Sequence, residues 1–195
     1  MEEKKKTEIE AGVFEKLIRH LRKNEGDYDY RVCFGLNNLS EWYRYAAKKK
    51  KITMNEDEAD RKIYSMHYKR WLLINDSNYI TMEEGDECAR SIGITKKNER
   101  EIFRSSTKSE KEFNPAISQL VFLKVVRWFR KRTNIQNIDL MERHKFCRNC
   151  LSKWYMAFAK KRGIKLDYEE ARKIIYGMAY EKWKKKYQKP LSEDE

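Results

Sequence analysis

Two stretches of this chain repeat each other at a fixed offset in the numbering. Residues 39–71 align with residues 151–183 without a gap, and 15 of the 33 aligned positions are identical. The identities include tryptophan and methionine at fixed positions, so a shared low-complexity composition does not explain them. Upstream, Phe14 pairs with Phe122 at a slightly smaller offset. A repeat of this kind indicates one structural unit that is used twice.

The composition favours helices over strands. The chain has only 7 glycines and 2 prolines, and its 40% hydrophobic content is enough for a core, so the 38% charged content describes a surface. We predict an all-α fold in which two related multihelical units form an intramolecular pseudo-dimer. We assign residues 8–75 to a degenerate unit, 76–112 to a connector with partial helix, 113–188 to an intact unit, and 189–195 to a disordered tail.

Cap signals place several helix ends. Asn55 with Glu58 three positions later is a signature of the capping-box type, and Asp167 with Glu170 repeats it in the second half. Gly163 is typical of a residue that stops a helix at its C-terminus.

The spacing of apolar residues predicts the remaining helices. We expect a charged tail over residues 1–7 and a first helix from about Ile9 to Lys23. A second helix should run from about Cys33 to Lys50, and Asn114-Pro115 should start the second half. A helix or a pair of helices should follow from about Asp139 to Arg162.

The stretch from 138 to 155, which reads IDLMERHKFCRNCLSKWY, holds two of the four cysteines. His144, Cys147 and Cys150 follow one another at spacings of three. As a metal site, they would give three ligands to a divalent metal such as zinc, with a fourth from elsewhere or from water. As a redox pair, the first cysteine near a helix start would have its thiolate stabilised by the helix dipole.

A third interpretation of the same stretch is structural. Cys147 would join Leu151, Trp154 and Phe158 on one buried stripe at helical spacing, where small apolar thiols are common. Trp154 has a counterpart in Trp42 of the first half, and persistence in both halves favours core packing. The sequence leaves all three interpretations open.

The net charge of +13 is concentrated in the C-terminal part. Residues 1–75 carry +4, residues 76–118 carry −2, and residues 119–195 carry +11. Such a field favours polyanions such as nucleic acid, although lysine-rich helices often do nothing but solvate a surface. The candidate polyanion contacts are Lys160, Lys161, Arg162, Lys184, Lys185 and Lys186.

Three stretches of the second half carry a family resemblance: RTNIQNIDLM (132–141), FCRNCLSKWY (146–155) and YGMAYEKWKKKYQ (176–188). They resemble the small helical "domain of unknown function 1244" family. The resemblance implies a small all-helical protein that can pair as a dimer. Since that family has no assigned function, the resemblance implies a fold and no chemistry.

The first half resembles a degenerate copy of the same family. Gly35 and Asn38 stand where the second half has its two cysteines, and Val32 stands where it has His144. If the family has a binding or active centre at this place, we expect the first copy to have lost it.

Two classes of function follow. The first is a non-enzymatic binding or scaffolding protein with an unknown protein partner, and the second is a metal- or thiol-dependent site at His144, Cys147 and Cys150. Non-specific nucleic-acid binding through the basic C-terminal half is a lesser alternative. No apolar run approaches the roughly 20 residues of a membrane span, so we expect an intracellular, cytoplasmic protein. Whether the protein is an enzyme, and on what substrate, stays open.

Overall fold

The computed structural model describes residues 2–24, 35–65 and 113–190, and within these ranges the chain is all-α, with eight helices and no strands. The all-α prediction is therefore confirmed. The predicted connector at 76–112, Cys33, and residues 191–195 of the predicted tail lie outside the described residues. The helices are α1 (Glu2–Asn24), α2 (Leu36–Lys49), α3 (Glu56–Tyr64), α4 (Pro115–Lys131), α5 (Asn137–His144), α6 (Arg148–Lys161), α7 (Tyr168–Tyr176) and α8 (Tyr180–Tyr187).

The first helix begins earlier than predicted. It starts at Glu2, so the expected charged tail over residues 1–7 is wrong. Two acidic residues in the first turn suit the positive end of the helix dipole, and lysine is a good helix former. The Thr7 hydroxyl also lies 3.0 Å from the Gln119 side-chain oxygen of α4, which holds this turn against the protein.

The predicted caps are confirmed. The Asn55 side chain accepts the backbone N–H of Glu58 at 2.9 Å, and Asp167 accepts the N–H of Glu170 at 2.8 Å. The carboxylate of each glutamate accepts a hydrogen bond from the N–H of its cap residue, so both caps are reciprocal capping boxes. Asn114 caps α4 by accepting the N–H groups of the first turn, which Pro115 starts.

The two halves share their helix ends residue by residue. The bounds of α2 and α3 recur, at the offset of the repeat, as the bounds of α6 and α7. After α2 the chain turns through Lys51 at φ 58°, and after α6 through Gly163 at φ 70°. After α3 and α7 it turns through Ser65 and Gly177, which also have positive φ. The same backbone path is therefore followed twice.

The helices pack across the two halves as well as within them. The first helix α1 packs against α4, its counterpart, and also against α6 of the second half, while α4 packs against α2 of the first half. Within each half the aromatic core is alike, because Phe14 lies 6.2 Å from Tyr43 and Phe122 lies 5.9 Å from Tyr155, measured between ring centres. All four of these rings are buried.

In each half, an arginine near the end of the first helix, α1 or α4, binds the end of a shorter helix, α3 or α7. Arg22 of α1 donates to the carbonyl oxygens of Lys62 and Ile63 at 2.6 and 2.7 Å. Arg130 of α4 donates to the carbonyl oxygen of Ile174. Arg130 aligns with Arg22 at the same offset that pairs Phe122 with Phe14. Lys62 and Ile174 are paired by the alignment of the repeat, so the two arginines make equivalent contacts.

Candidate thiol centre

A break between α5 and α6 brings the predicted site residues to a helix start. The predicted helix pair is confirmed: α5 ends at His144, and Lys145 takes positive φ while its N–H donates to the carbonyl of Met141 at 3.0 Å. Phe146 is fully buried and anchors the turn. Cys147 is then the extended N-cap residue of α6.

Three sulfur atoms lie together at this helix start. The Sγ atoms of Cys147 and Cys150 are 3.8 Å apart, and the Sδ atom of Met141 lies 3.9 Å from the Sγ of Cys150. Cys147 is buried and Cys150 half-buried, while 38% of Met141 is exposed. The cluster therefore reaches from the core to the surface. The sequence reasoning did not include Met141, whose place depends on the turn between the two helices.

The electrostatics distinguish the two thiols. A hydrogen bond from Cys147 lowers the pKa of Cys150 to about 6, helped by the backbone N–H of Cys147 and by the charges of Lys153 and His20, against an opposing effect of burial. The same hydrogen bond, followed by burial, raises the pKa of Cys147. This hydrogen bond therefore favours the thiolate at the more exposed Cys150 over the thiolate at Cys147.

The first half contributes to the surroundings of these thiols. The His20 ring of α1 lies 5.6 Å from the Phe146 ring and 5.5 Å from the Trp154 ring, and its Nε2 donates to the carbonyl of His144 at 2.9 Å. Lys16, one turn earlier on α1, lies over the Trp154 ring. The site is thus built on α5 and α6 and bordered by α1.

His144 does not join the thiols as the predicted ligand set requires. Its ring is buried 6.2 Å from the Phe146 ring, and burial, with the charges of Arg143 and His20, lowers its pKa to about 4. Among the residues that the structure describes, no group of three or more His, Cys, Asp and Glu side chains is arranged to hold a metal ion.

The predicted buried stripe is right in part. Cys147 and Leu151 are buried, but Trp154 and Phe158 are only partly buried. The buried face of α6 continues through Tyr155 and Ala159 instead. Trp154 and Phe158 lie against α1, so they belong to the contact between the two halves.

The sequence reasoning missed Arg148, which stands between the two cysteines in the sequence and is completely buried. Its guanidinium group donates to the carbonyl oxygens of Phe129, Arg132 and Ile135, at 3.3, 2.6 and 3.0 Å. It also lies 5.3 Å from the centre of the Trp183 ring. Arg148 therefore ties the link between α4 and α5 to α8.

The next residue of the motif, Asn149, is structural as well. The Asn149 side chain accepts a hydrogen bond from the Tyr176 hydroxyl at 2.9 Å, and Asn37 accepts one from the Tyr64 hydroxyl in the same way in the first half.

A sequence signal for the burial of Arg148 was present, because the alignment of the repeat pairs it with Leu36. An apolar counterpart marks a core position.

The six predicted polyanion contacts fall into two separate groups. Residues 160–162 end α6, whereas residues 184–186 lie in α8, which packs beside Arg148 at the start of α6. A helix of 14 residues separates its ends by about 20 Å, so the groups do not form one patch. Arg162 is also engaged by Glu8 at 2.8 Å.

The fold and the site together define a small all-helical protein with a dithiol at a helix start. The family model described as "Protein of unknown function (DUF1244)" matches residues 32–81 and 135–195, more than half of the chain, and the protein belongs to this family. The resemblance seen in the sequence is confirmed in both halves. Comparison with curated proteins gives no match. Within the described residues, no helix is long and apolar enough to cross a membrane.

Proposed function

We propose that the protein is a helical binding protein, arranged as an intramolecular pseudo-dimer, and that its binding centre is the dithiol of Cys147 and Cys150. In this arrangement the first unit consists of α1 to α3 and the second of α4 to α8. The first unit supports the second, and Gly35 and Asn38 occupy the positions that match the two cysteines.

The comparison of the two helix starts carries this proposal. In the first unit, the N–H of the cap residue Gly35 donates to the side-chain oxygen of Asn38 at 3.0 Å. In the second unit, Cys150 takes the place of Asn38, and the backbone of Cys147 helps to lower the pKa of the Cys150 thiol. An amide oxygen is the stronger acceptor, so the cap does not need a thiol. Helices α2 and α6 have matching bounds, although only α6 has the two cysteines at its start. This match supports the view that the thiols serve a purpose other than the fold.

The reciprocal contacts between the halves support the pseudo-dimer. Lys16 of α1 lies over Trp154 of α6, with its Nζ 5.0 Å from the ring centre, and Lys124 of α4 lies over Trp42 of α2 at 4.6 Å. The two lysines are related by the offset of Phe14 and Phe122, and the two tryptophans by the offset of the gapless repeat. Equivalent contacts in both directions are what a two-fold arrangement of related units produces.

Selective alkylation of the native protein tests the proposed centre. The protein is treated briefly with iodoacetamide, denatured, treated with a second alkylating agent of different mass, and digested with trypsin. Cleavage after Arg148 separates the two cysteines, because Cys147 falls in the peptide FCR and Cys150 in NCLSK. Mass spectrometry then gives the accessibility of each thiol.

We expect Cys150 to carry the first label and Cys147 the second, because Cys147 is buried and Cys150 only half-buried. The Cys147→Ala variant serves as a control that keeps Cys150 in place and removes its thiol partner. Its Cys150 should be labelled more slowly at neutral pH, since it loses the hydrogen bond that favours the thiolate. If both cysteines of the native protein carried only the second label, the dithiol would be a core pair and the proposal would fail.

A further inference from the structure

We infer that the three sulfur atoms of Cys147, Cys150 and Met141 form a binding site for a soft monovalent metal ion, Cu(I). This inference rests on the proposed function and names the ligand class of that centre. It differs from the zinc site that was one of the three interpretations of the sequence, because the third donor is the thioether of Met141 and not the imidazole of His144.

The distances between the sulfur atoms fit one metal ion. Three sulfurs that each lie about 2.3 Å from a metal are about 3.8–4.0 Å apart at tetrahedral or trigonal angles. The Cys147–Cys150 and Cys150–Met141 sulfur distances are 3.8 and 3.9 Å. The two sulfur–sulfur distances from Cys150 therefore already have the spacing of a three-coordinate site.

The donor set decides between metals. Zinc takes thiolates, imidazoles and carboxylates, and no third ligand of these kinds joins the two thiols among the described residues. Thiolate and thioether donors together select Cu(I) over harder ions. Two thiolates and Cu(I) carry one net negative charge, and the charges of Lys153 and His20 act on Cys150 in the favourable sense.

The site has an open side and a closed side. Cys147 and the neighbouring Phe146 are buried, whereas Met141 is 38% exposed. A metal could therefore enter past Met141 and meet Cys150 before Cys147. Binding would release to solvent the protons that the two thiols still hold, with no change in the oxidation state of sulfur or copper.

Competition for Cu(I) against a chromophoric chelator, under anaerobic reducing conditions, tests the inference on the full chain. Four variants accompany the natural protein. Met141→Leu removes only the thioether, and Met156→Leu, further along α6, is its matched control. Cys150→Ser removes a thiolate, while Cys33→Ser/Cys88→Ser removes the two cysteines that lie outside the described residues.

We expect the natural protein to bind one equivalent of Cu(I). Met141→Leu should weaken binding by at least about tenfold, which is about 1.4 kcal/mol, and Cys150→Ser by at least about a hundredfold. Met156→Leu and Cys33→Ser/Cys88→Ser should bind as the natural protein does. Zn²⁺ should bind weakly, and its affinity should not change in Met141→Leu.

The inference is overturned if the natural protein does not compete for Cu(I), or if Met141→Leu binds it unchanged. Loss of binding in Cys33→Ser/Cys88→Ser would also overturn it, provided that the circular dichroism of this variant matches the natural protein. Selective alkylation of Cys150 separates this failure from that of the proposed function. A reactive Cys150 without Cu(I) binding would leave the thiol centre in place and remove only the metal.

Discussion

The ammonium nitrogen of Lys16 lies 5.0 Å from the centre of the Trp154 ring, so a side chain of the first half covers an aromatic ring of the second. Lys124 covers Trp42 in the opposite direction. Such contacts contribute about 0.5–1 kcal/mol at exposed sites, too little to hold the halves together alone. Helices α1 and α6 also approach each other closely, and this approach can be tested at a glycine.

Gly12→Ala should destabilise the protein. Replacing a helical glycine by alanine normally adds about 1 kcal/mol of stability. A methyl group at Gly12 would, however, lie 2.5 and 2.6 Å from two ring carbons of Phe158, so either this ring or α1 would have to shift. We expect a net loss of about 1–3 kcal/mol in the free energy of unfolding, measured by urea denaturation.

The double variant Gly12→Ala/Phe158→Ala separates this clash from other effects. Removing the ring should make the alanine at position 12 favourable, so the double variant should be more stable than Phe158→Ala alone. A Gly12→Ala variant that is more stable than the natural protein would contradict the close contact between α1 and α6.

Arg148→Leu should be strongly destabilising, although leucine is the residue at the equivalent position of the first half. The variant leaves three carbonyl groups without the guanidinium donor that they now share. We expect a loss of about 3–5 kcal/mol in the free energy of unfolding. Arg148→Lys should recover only part of it, since an ammonium group cannot reproduce the fork of donors.

The matched control is Arg44→Leu, because 43% of the Arg44 side chain is exposed and its ion pair with Glu56 spans 3.4 Å. That change should alter stability by less than about 1 kcal/mol. Similar effects at the two arginines would mean that Arg148 does not hold the link between α4 and α5.

Arg148 also illustrates what the sequence could and could not predict. The capping boxes at Asn55 and Asp167 and the stop at Gly163 follow from local rules, and the structure has all of them. A buried arginine does not follow, because arginine is rarely buried unless it has partners. Its partners in this protein are carbonyl groups 13 to 19 residues away, which only the fold brings together.

Glu10→Gln should stabilise the protein at neutral pH. Burial raises the pKa of Glu10, and hydrogen bonds from Gln119 and Tyr155 with the charge of Lys6 only partly oppose it. A raised carboxyl pKa favours folding at acid pH and opposes it as the pH rises through the folded pKa. The gain in stability of Glu10→Gln over the natural protein should therefore be present at pH 7 and vanish below about pH 4.

Thermal unfolding between pH 4 and pH 8 measures this effect. Glu8→Gln is the control, because Glu8 is only partly buried and pairs with Arg162, so its loss should be neutral or slightly destabilising at pH 7. A Glu10→Gln variant that is less stable than the natural protein at pH 7 would contradict the raised pKa.

His144 should make the protein sensitive to mild acid. Its pKa is lowered from 6.5 to about 4, by burial first and then by the charges of Arg143 and His20. Between these values the unfolded chain binds the proton more readily, so stability is present above about pH 6.5 and is lost as the pH falls toward 4. Protonation of His144 should lower the free energy of unfolding by at most about 3 kcal/mol.

His144→Gln should flatten the pH dependence within that window. The stability difference between the variant and the natural protein, measured by denaturation at pH 4.5 and pH 7.5, should shift in favour of the variant at the lower pH. Parallel curves for the two proteins would show that His144 is protonated as easily in the folded state as in the unfolded one.

The candidate site was predictable to a lesser degree than the fold. The spacing of Cys147 and Cys150 brings them together on one helix turn, and the structure agrees. Met141 was not predictable, because its approach depends on the turn at Lys145, which takes positive φ without being glycine. The separation of residues 160–162 from residues 184–186 was not predictable either, since charge composition carries no information on which helix ends adjoin.

The free energy of unfolding of Cys150→Asn tests most directly whether the second unit keeps its thiols for function. Asn38 already makes the equivalent cap in the first unit, so asparagine at position 150 should accept the N–H of Cys147 in the same way. We predict a stability equal to or above that of the natural protein, within about 1 kcal/mol. A loss of more than about 2 kcal/mol would show that the thiol is needed for the fold, and would contradict a functional role as the reason for its presence.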